Sequence, residues 1–395
     1  MNKTPKLRFK EFSGDWESKK LHQVSDVLSG KRVPKGMNLV EYNTGIPYIT
    51  VSDMGDKYVA LNKLKYITPK IEECIKKYKV LANDIIISVA GTLGKINLIQ
   101  SELENANLTE NCDKITNLKN ANYKYLYYYL NTEHIQNQIS SVNTISSQPK
   151  LALACIRDFN IAIPDLKEQE KIASLFSLID DKISLQAEKV ETLKDYKKGM
   201  MQKIFSRELR FKDDDGRDYP EWEEKKIGNI AECLDNKRKP LNSTQRGEMQ
   251  GDIPYYGANG IVDFVNDYIF DEEIILLAED GGNFEEFATR PIAQLVTGKS
   301  WVNNHAHVLK SKHNTEFLFY SLVHKDIRKY INGTSRAKLN KSDMLDIVVN
   351  IPKSLEEQKK IANVLGSIYL KIEKEQKKLD SLNEYKKGLL QQMFV

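Results

Sequence analysis

Two stretches of the chain carry the same apolar stripe. In 161–205 it comprises Ile172, Phe176, Ile179, Ile183, Val190, Leu193, Met200 and Ile204. In 349–395 it comprises Ile361, Leu365, Ile368, Ile372, Leu379, Leu382, Leu389 and Met393. The steps alternate between three and four once the polar pairs Gln186/Glu375 and Lys197/Lys386 are given their places, which is a coiled-coil seam. Each stretch opens on an Ile-Pro pair, Ile163-Pro164 and Ile351-Pro352, where a preceding element stops and a helix starts. Each ends on Tyr-Lys-Lys-Gly, then Gln, then Phe. A helix of roughly 40 residues is ~60 Å long. Its stripe needs a partner, and the sister copy is the nearest candidate. A globular segment intervenes, so the expected packing is antiparallel.

Before each helix lies a stretch of mixed pattern, 1–160 and 206–348. Ile46–Val51 alternates aromatic and β-branched residues, and Ile85–Val89 is a short apolar run ended by Gly91 and Gly94; both read as strands. Tyr123 to Ile139 reads as helical. Landmarks recur in the second stretch: Leu7-Arg8-Phe9-Lys10 as Leu209-Arg210-Phe211-Lys212, Trp16 as Trp222, Lys31-Arg32 as Lys237-Arg238, Ile46-Pro47-Tyr48 as Ile253-Pro254-Tyr255. Ser146 to Leu151 likewise matches Thr334 to Leu339. The middles diverge, and 94–112 has no visible twin in 281–304. The expected architecture is α+β, with domains at 1–160 and 206–348 separated by helices at 161–205 and 349–395, in a pseudo-two-fold internal repeat.

Composition narrows the class. The 395 residues are 41% hydrophobic and 29% charged, with a formal charge of only +4, so any nucleic-acid surface has to be local. Four scattered cysteines without a CxxC pair fit a reducing compartment. No apolar run is long enough for a membrane span, so the expected location is cytoplasmic.

Catalytic patterns are missing. There is no Pro-Pro pair, so the loop of amino-methyltransferases is absent. Gly298-Lys299-Ser300 lacks the earlier glycine of a phosphate loop, and Glu279-Asp280-Gly281-Gly282 reads as a turn. His305 and His307 lack a third ligand at sensible spacing, so they are expected to be structural, with no metal site. Local charge is more telling. Lys19, Lys20, Lys31, Arg32 and Lys35 cluster in the first half; Lys225, Lys226, Lys237, Arg238, Lys239 and Arg246 cluster in the second. Recurrence at matching places suggests phosphate contact. Beside them lie Tyr48, Asn107 and Asn111, and Tyr255, Tyr256, Asn259, Asn303 and Asn304, suited to base edges or stacking. The expected DNA-contacting set is Lys31, Arg32, Lys35, Tyr48, Asn111, Lys237, Arg238, Lys239, Tyr256, Asn303, Arg336 and Lys338. The expected helix or partner interface is Ile172, Phe176, Ile179, Ile183, Leu193, Ile361, Leu365, Ile368, Ile372 and Leu382.

This order of variable and repeated regions resembles the specificity subunit of type I restriction–modification enzymes across essentially the whole chain. IPDLKEQEKIASLF and IPKSLEEQKKIANVL at the helix starts carry the resemblance most specifically; GIPYITVSDM, AGTLGKI and DIPYYGANGIVD are similar to phrases of its target recognition domains. The resemblance implies a non-catalytic subunit whose two variable regions each read half of a bipartite double-stranded DNA target. It implies helices that set the spacing and bind methyltransferase subunits, two in number, with restriction subunits joining through the complex. S-adenosylmethionine, ATP and Mg are then expected on those partners, and no cofactor on this chain. A coiled-coil scaffold without a DNA role, and a DNA-modifying enzyme with fused recognition domains, are the readings from other classes.

Overall fold

The structure is a computed structural model that describes residues 4–143, 150–333 and 337–395. The chain divides into two compact units, Met1–Ala187 with Lys378–Val395, and Glu188–Lys377. Both long helices form, over Leu166–Phe205 and Leu355–Met393. They start later than 161 and 349 because Asn160–Ile163 and Val348–Ile351 are strands, paired antiparallel with Glu17–Lys20 and Glu223–Lys226. The Ile-Pro pairs therefore end a strand before they release a helix. Among the described residues no helix is long and apolar enough to cross a membrane.

In the first unit Asp26–Ser29, Cys112–Thr116, Ile85–Ser88 and Ile96–Leu98 form, in that order, an antiparallel sheet. A three-stranded sheet places Pro47–Ile49 between Lys65–Tyr66 and Asn107–Leu108, the last pair parallel. Two helices follow, Tyr123–Leu130 and Glu133–Asn143. The core runs from Trp16 and the sheet through Tyr125 and Tyr128 to Ile172 and Phe176 of the first long helix and Leu389, Met393 and Phe394 of the second. Phe394 lies 5.6 Å from Phe176 between ring centroids, and Lys386 Nζ is 2.7 Å from Asp180. Within this unit the helix segments are thus antiparallel, and they share one core with the globular part.

The second unit repeats the plan. Ala231–Cys233, Ala306–Ser311, Ile274–Ala278 and Ala293–Val296 form its antiparallel sheet. A second sheet orders Gly260–Val265, Gln250–Gly257, Lys299–Val302 and Phe270–Asp271, with Gln250–Gly257 and Lys299–Val302 parallel. Its core joins Trp222, Phe317 and Leu318 to Met201 and Ile204, and to Ile361 and Leu365. Lys189 pairs with Glu375 at 3.1 Å and Lys197 lies 5.4 Å from the Tyr369 ring, so the segments here are antiparallel too.

The repeated words at the helix starts are clamps. Arg8 bonds Glu168 through Nε and Nη2 at 2.7 and 2.8 Å, and Arg210 reaches Glu357 at 3.3 Å. Gln169 donates to the Pro164 carbonyl and accepts from Asn122 N–H; Gln358 does the same with Pro352 and Asn314. Asn122 and Asn314 in turn cap helices Tyr123–Leu130 and Thr315–Leu322. Each start word thereby ties a long helix to a short helix of its own unit.

Candidate nucleic-acid interface

A common backbone frame fixes which loop positions correspond. In the first unit Lys31 N–H donates to Leu108 (2.8 Å), Thr109 to Ile49 (3.0 Å), Val89 to Asn111 (2.8 Å) and Leu151 to Val89 (2.9 Å). In the second, Lys239 donates to Val302 (3.3 Å), Asn303 to Tyr256 (3.1 Å), Glu279 to His305 (2.9 Å) and Leu339 to Glu279 (2.7 Å). Position 31 therefore answers to 239, 109–111 to 303–305, 89 to 279, and 151 to 339. The middles do have a twin: Asn107-Leu108-Thr109-Glu110-Asn111-Cys112 corresponds to Trp301-Val302-Asn303-Asn304-His305-Ala306. It is invisible in the letters because the backbone, not the side chains, is shared. The lysine pairing moves as well. Lys31 matches Lys239 rather than Lys237, since the second unit inserts a 3₁₀ turn at Asp235–Lys237.

This frame sorts the expected contact residues. Lys31, Lys35, Lys237 and Lys239 are exposed, Lys31 standing 5.8 Å from the Tyr78 ring. Arg32 is exposed but pairs with Glu110, whose carboxyl is burdened by burial yet held below its ordinary pKa by the guanidinium and local hydrogen bonds. Arg238 is not a free cation. It is turned inward, 13% exposed, bonding Glu279 at 2.6 Å, the Ala306 carbonyl at 2.8 Å and Asp235 at 3.3 Å. Two carboxylates and a carbonyl around one guanidinium outcompete a phosphate. Tyr48 is a correction of the same kind: it is buried, and its hydroxyl donates to the Lys31 carbonyl at 2.8 Å, holding the basic loop instead of stacking on a base. Tyr255 is likewise buried, its hydroxyl accepting from Leu241 N–H at 2.9 Å. Asn107 is buried and donates to Ile75. Tyr256 is half-buried, and Lys338 pairs with Glu279 at 3.1 Å. Lys19, Lys20, Lys225 and Lys226 face partners along the short ladders, Glu17, the Asp158 carbonyl, Glu223 and Asp346. Arg336 and 146–149 lie outside the described residues.

Beside each basic loop lies a polar triplet in which Thr109 and Asn303 are buried, the latter against expectation, while Glu110, Asn111 and His305 are half-buried and Asn304 is exposed. Gly30 permits this closeness in the first unit, because a Cβ there would sit 2.0 Å from the Thr109 carbonyl oxygen. Asn111 is half-buried and its carboxamide bonds no described residue. In the second unit a groove of about 580 Å³ opens between Pro240, Leu241, Arg246, the turn 257–262, Asp280 and Asn303–His305. Asn303 Oδ1 accepts from His305 N–H at 2.8 Å, and His305 Nδ1 is 2.5 Å from Asp280. Asn304 is exposed; Ile261 and Val262 at the rim are more than half exposed. Arg246 bonds Asp263 at 2.9 Å and so braces the groove wall. The hairpin turns through Ala258 and Asn259, between the paired Gly257 and Gly260. The Asp280–His305 pair, 25 residues apart, had no signal in spacing.

His307, expected to be structural, is buried between Asp235 (2.6 Å) and the Leu339 carbonyl (2.9 Å). Asp235, Glu279 and His307 bring ligand atoms within 4.8 Å of one another. Arg238 and Lys338 already neutralise the carboxylates, so this is a polar clamp on the strand at 338–339 rather than a cation cage. The expected interface residues fall in the intramolecular seam: Ile172, Phe176, Ile179, Ile361, Leu365 and Ile368 are buried, and Ile183, Leu193, Ile372 and Leu382 half-buried. A side chain buried there is unavailable to another protein. Among the described residues, the large apolar residues of the helices that are more than half exposed are instead Leu178, Leu185, Tyr196, Leu370 and Tyr385.

A family model for the type I restriction modification DNA specificity domain matches residues 13–195 and again 219–384. Over 151 residues the chain is 38% identical to a Haemophilus influenzae protein provisionally named type I restriction enzyme specificity subunit S.HindORF215P, a match spanning 38% of this chain and 37% of that one. It is 26% identical to the type I restriction enzyme MjaVIII specificity subunit of Methanocaldococcus jannaschii, covering 97% of this chain and 94% of that one. The crystal structure of a type I restriction–modification S subunit from M. genitalium shares the fold, with a TM-score of 0.65 at 19% identity over 99% of both chains. With two copies of the domain matched in tandem over most of its length, the chain belongs to the type I restriction–modification DNA specificity family.

Proposed function

We propose that this chain, a non-catalytic specificity subunit, binds a bipartite double-stranded DNA target, one half on each unit. The observation that carries the reading is the shared frame: the same backbone holds an exposed basic loop beside a polar triplet in both units, while the triplets differ. Lys31 and Lys35, and Lys237 and Lys239, supply phosphate contacts that position the duplex without reading it. Methyltransferase subunits dock on the outward helix faces, at Leu178, Leu185 and Tyr385 in the first unit and Tyr196 and Leu370 in the second. Those partners, and restriction subunits joining through them, would carry S-adenosylmethionine, ATP and Mg.

The test is duplex binding by the chain assembled with its methyltransferase subunit, titrated with salt. A steep fall of affinity with salt is expected. Lys237→Glu with Lys239→Glu should weaken binding across all sequences and flatten the log–log slope by about 2 if each contacts one phosphate. Arg238→Ala should leave the slope nearly unchanged and lower the stability of its unit. Binding that ignores salt, or a slope that responds to Arg238 but not to the lysines, contradicts the assignment.

A further inference from the structure

The equivalence of 109–111 and 303–305 isolates one position whose chemistry differs between the units while its backbone does not. Asn111 and His305 each accept, through the carbonyl, the N–H that follows the central strand, from Val89 and Glu279 at 2.8 and 2.9 Å. Each is followed by the first residue of the next strand, Cys112 or Ala306, paired with Ser88 or Ala278. The backbone at this position is therefore held on both sides, and the side chain is what varies. The residue after Val89 is Ala90 and the one after Glu279 is Asp280, and both turns then pass through a left-handed glycine, Gly91 (φ 78°) and Gly281 (φ 62°). At the position that follows the central strand, then, the second unit has a carboxylate, Asp280, and the first an alanine, Ala90.

We propose that the position shared by Asn111 and His305 is the base-reading position of each unit, and that Asp280 aims His305. This rests on the reading of the chain as a bipartite DNA binder. A carboxylate only accepts, so His305 Nδ1 carries the proton that bonds Asp280 at 2.5 Å. In the neutral ring Nε2 is then an acceptor at the groove. An acceptor selects an exocyclic amino group, adenine N6 or cytosine N4, on the major-groove edge. Asn111, with donor and acceptor on one planar amide and no partner among the described residues, fits adenine through N6 and N7. Asn303 is engaged by His305 N–H through Oδ1, and Glu110 by Arg32, so these two triplet residues are held within their own units, whereas Asn304 is exposed.

The experiment is selection of bound duplexes from a randomised library, using the chain assembled with its methyltransferase subunits. His305→Asn should change base preference at one position of one half roughly tenfold, leaving the other half and the gap as they were. Asp280→Ala should loosen the same position, and Asp280→Glu should restore it, which a merely structural role for Asp280 would not produce. Asn111→Ala should relax one position of the other half. The proposal is overturned if His305→Asn and Asn111→Ala both select the wild-type motif, or if both alter the same half. If His305→Asn melts below the assay temperature, Asn111→Ala, whose carboxamide bonds no described residue, decides alone. A wild-type assembly that selects no motif overturns the proposed function itself.

Discussion

Glu168 and Glu357 are fully buried carboxylates, a situation that water would not allow without compensation. Arg8 and Arg210 supply it from more than 140 residues away in sequence, and Trp222 adds an indole N–H to Glu357 at 3.0 Å. This explains why Leu-Arg-Phe-Lys recurs along with the helix-start words: each copy is one end of an ion pair. Arg8→Met should strand a buried charge and destabilise the first unit by about 3 kcal/mol. Arg8→Met with Glu168→Gln should recover most of that loss, because no charge is left unpaired. Urea melts of the wild type and the two variants check it; equal losses in the single and double variants would mean that packing, not charge, is at stake. The recurrence of these residues was readable, but the pairing was not. The seam lysines do not meet these glutamates: Lys386 pairs with Asp180, and Lys197 lies over the Tyr369 ring.

At the scale of the helices, equivalent seam positions meet different neighbours. Lys386 pairs with Asp180, which also bonds Lys57 at 2.8 Å and Tyr128 at 2.6 Å. Burial alone would raise the Asp180 carboxyl, but these hydrogen bonds bring it below its ordinary pKa. In the second unit the position of Asp180 is taken by Tyr369, and Lys197 lies over its ring with burial pulling the ammonium below 10.5. The signs are therefore opposite. A cation whose folded pKa is lowered is a penalty while it stays charged, and the penalty fades as pH rises from the folded value to the unfolded one. Lys197→Met should raise the melting temperature of its unit at pH 7, with the gain shrinking toward pH 10.5. Lys386→Met should cost about 1–2 kcal/mol, because Asp180 loses a partner. The Asp180 contribution is present above the unfolded carboxylate pKa and is lost as pH falls through the depressed one. Thermal melts that shift the same way for both variants would contradict this account.

At the scale of the whole molecule, two units share a frame and differ in the loops that it carries, so changing a loop and changing a helix should have separable consequences. A long helix gains ~1.5 Å per residue, so four residues inserted in the middle of each add ~6 Å. A four-residue insertion keeps the seam roughly in phase. If the helices set the distance between the half-targets, the unread gap should grow by one or two base pairs, with both half-sequences kept. Methylome sequencing of cells carrying the altered chain reads gap and halves together. A gap indifferent to helix length would remove the ruler from the proposed function.

The seam, the Ile-Pro boundaries and the duplication could be read from the chain itself, because each is written in local sequence: steps of three and four for a coiled coil, φ restriction at proline, and the same words recurring at matching places. Nothing local tells an exposed arginine from one enclosed by carboxylates. Arg32 and Arg238 looked alike beside their lysines, and only the fold brings Asp235, Glu279 and the Ala306 carbonyl around the second. The same holds for Tyr48, drawn inward to the Lys31 carbonyl, and for the twin middles, whose common element is a set of backbone hydrogen bonds between distant strands. Side-chain type follows local pattern, whereas the choice between a protein partner and an outside ligand is made by groups that approach only when the sheets close.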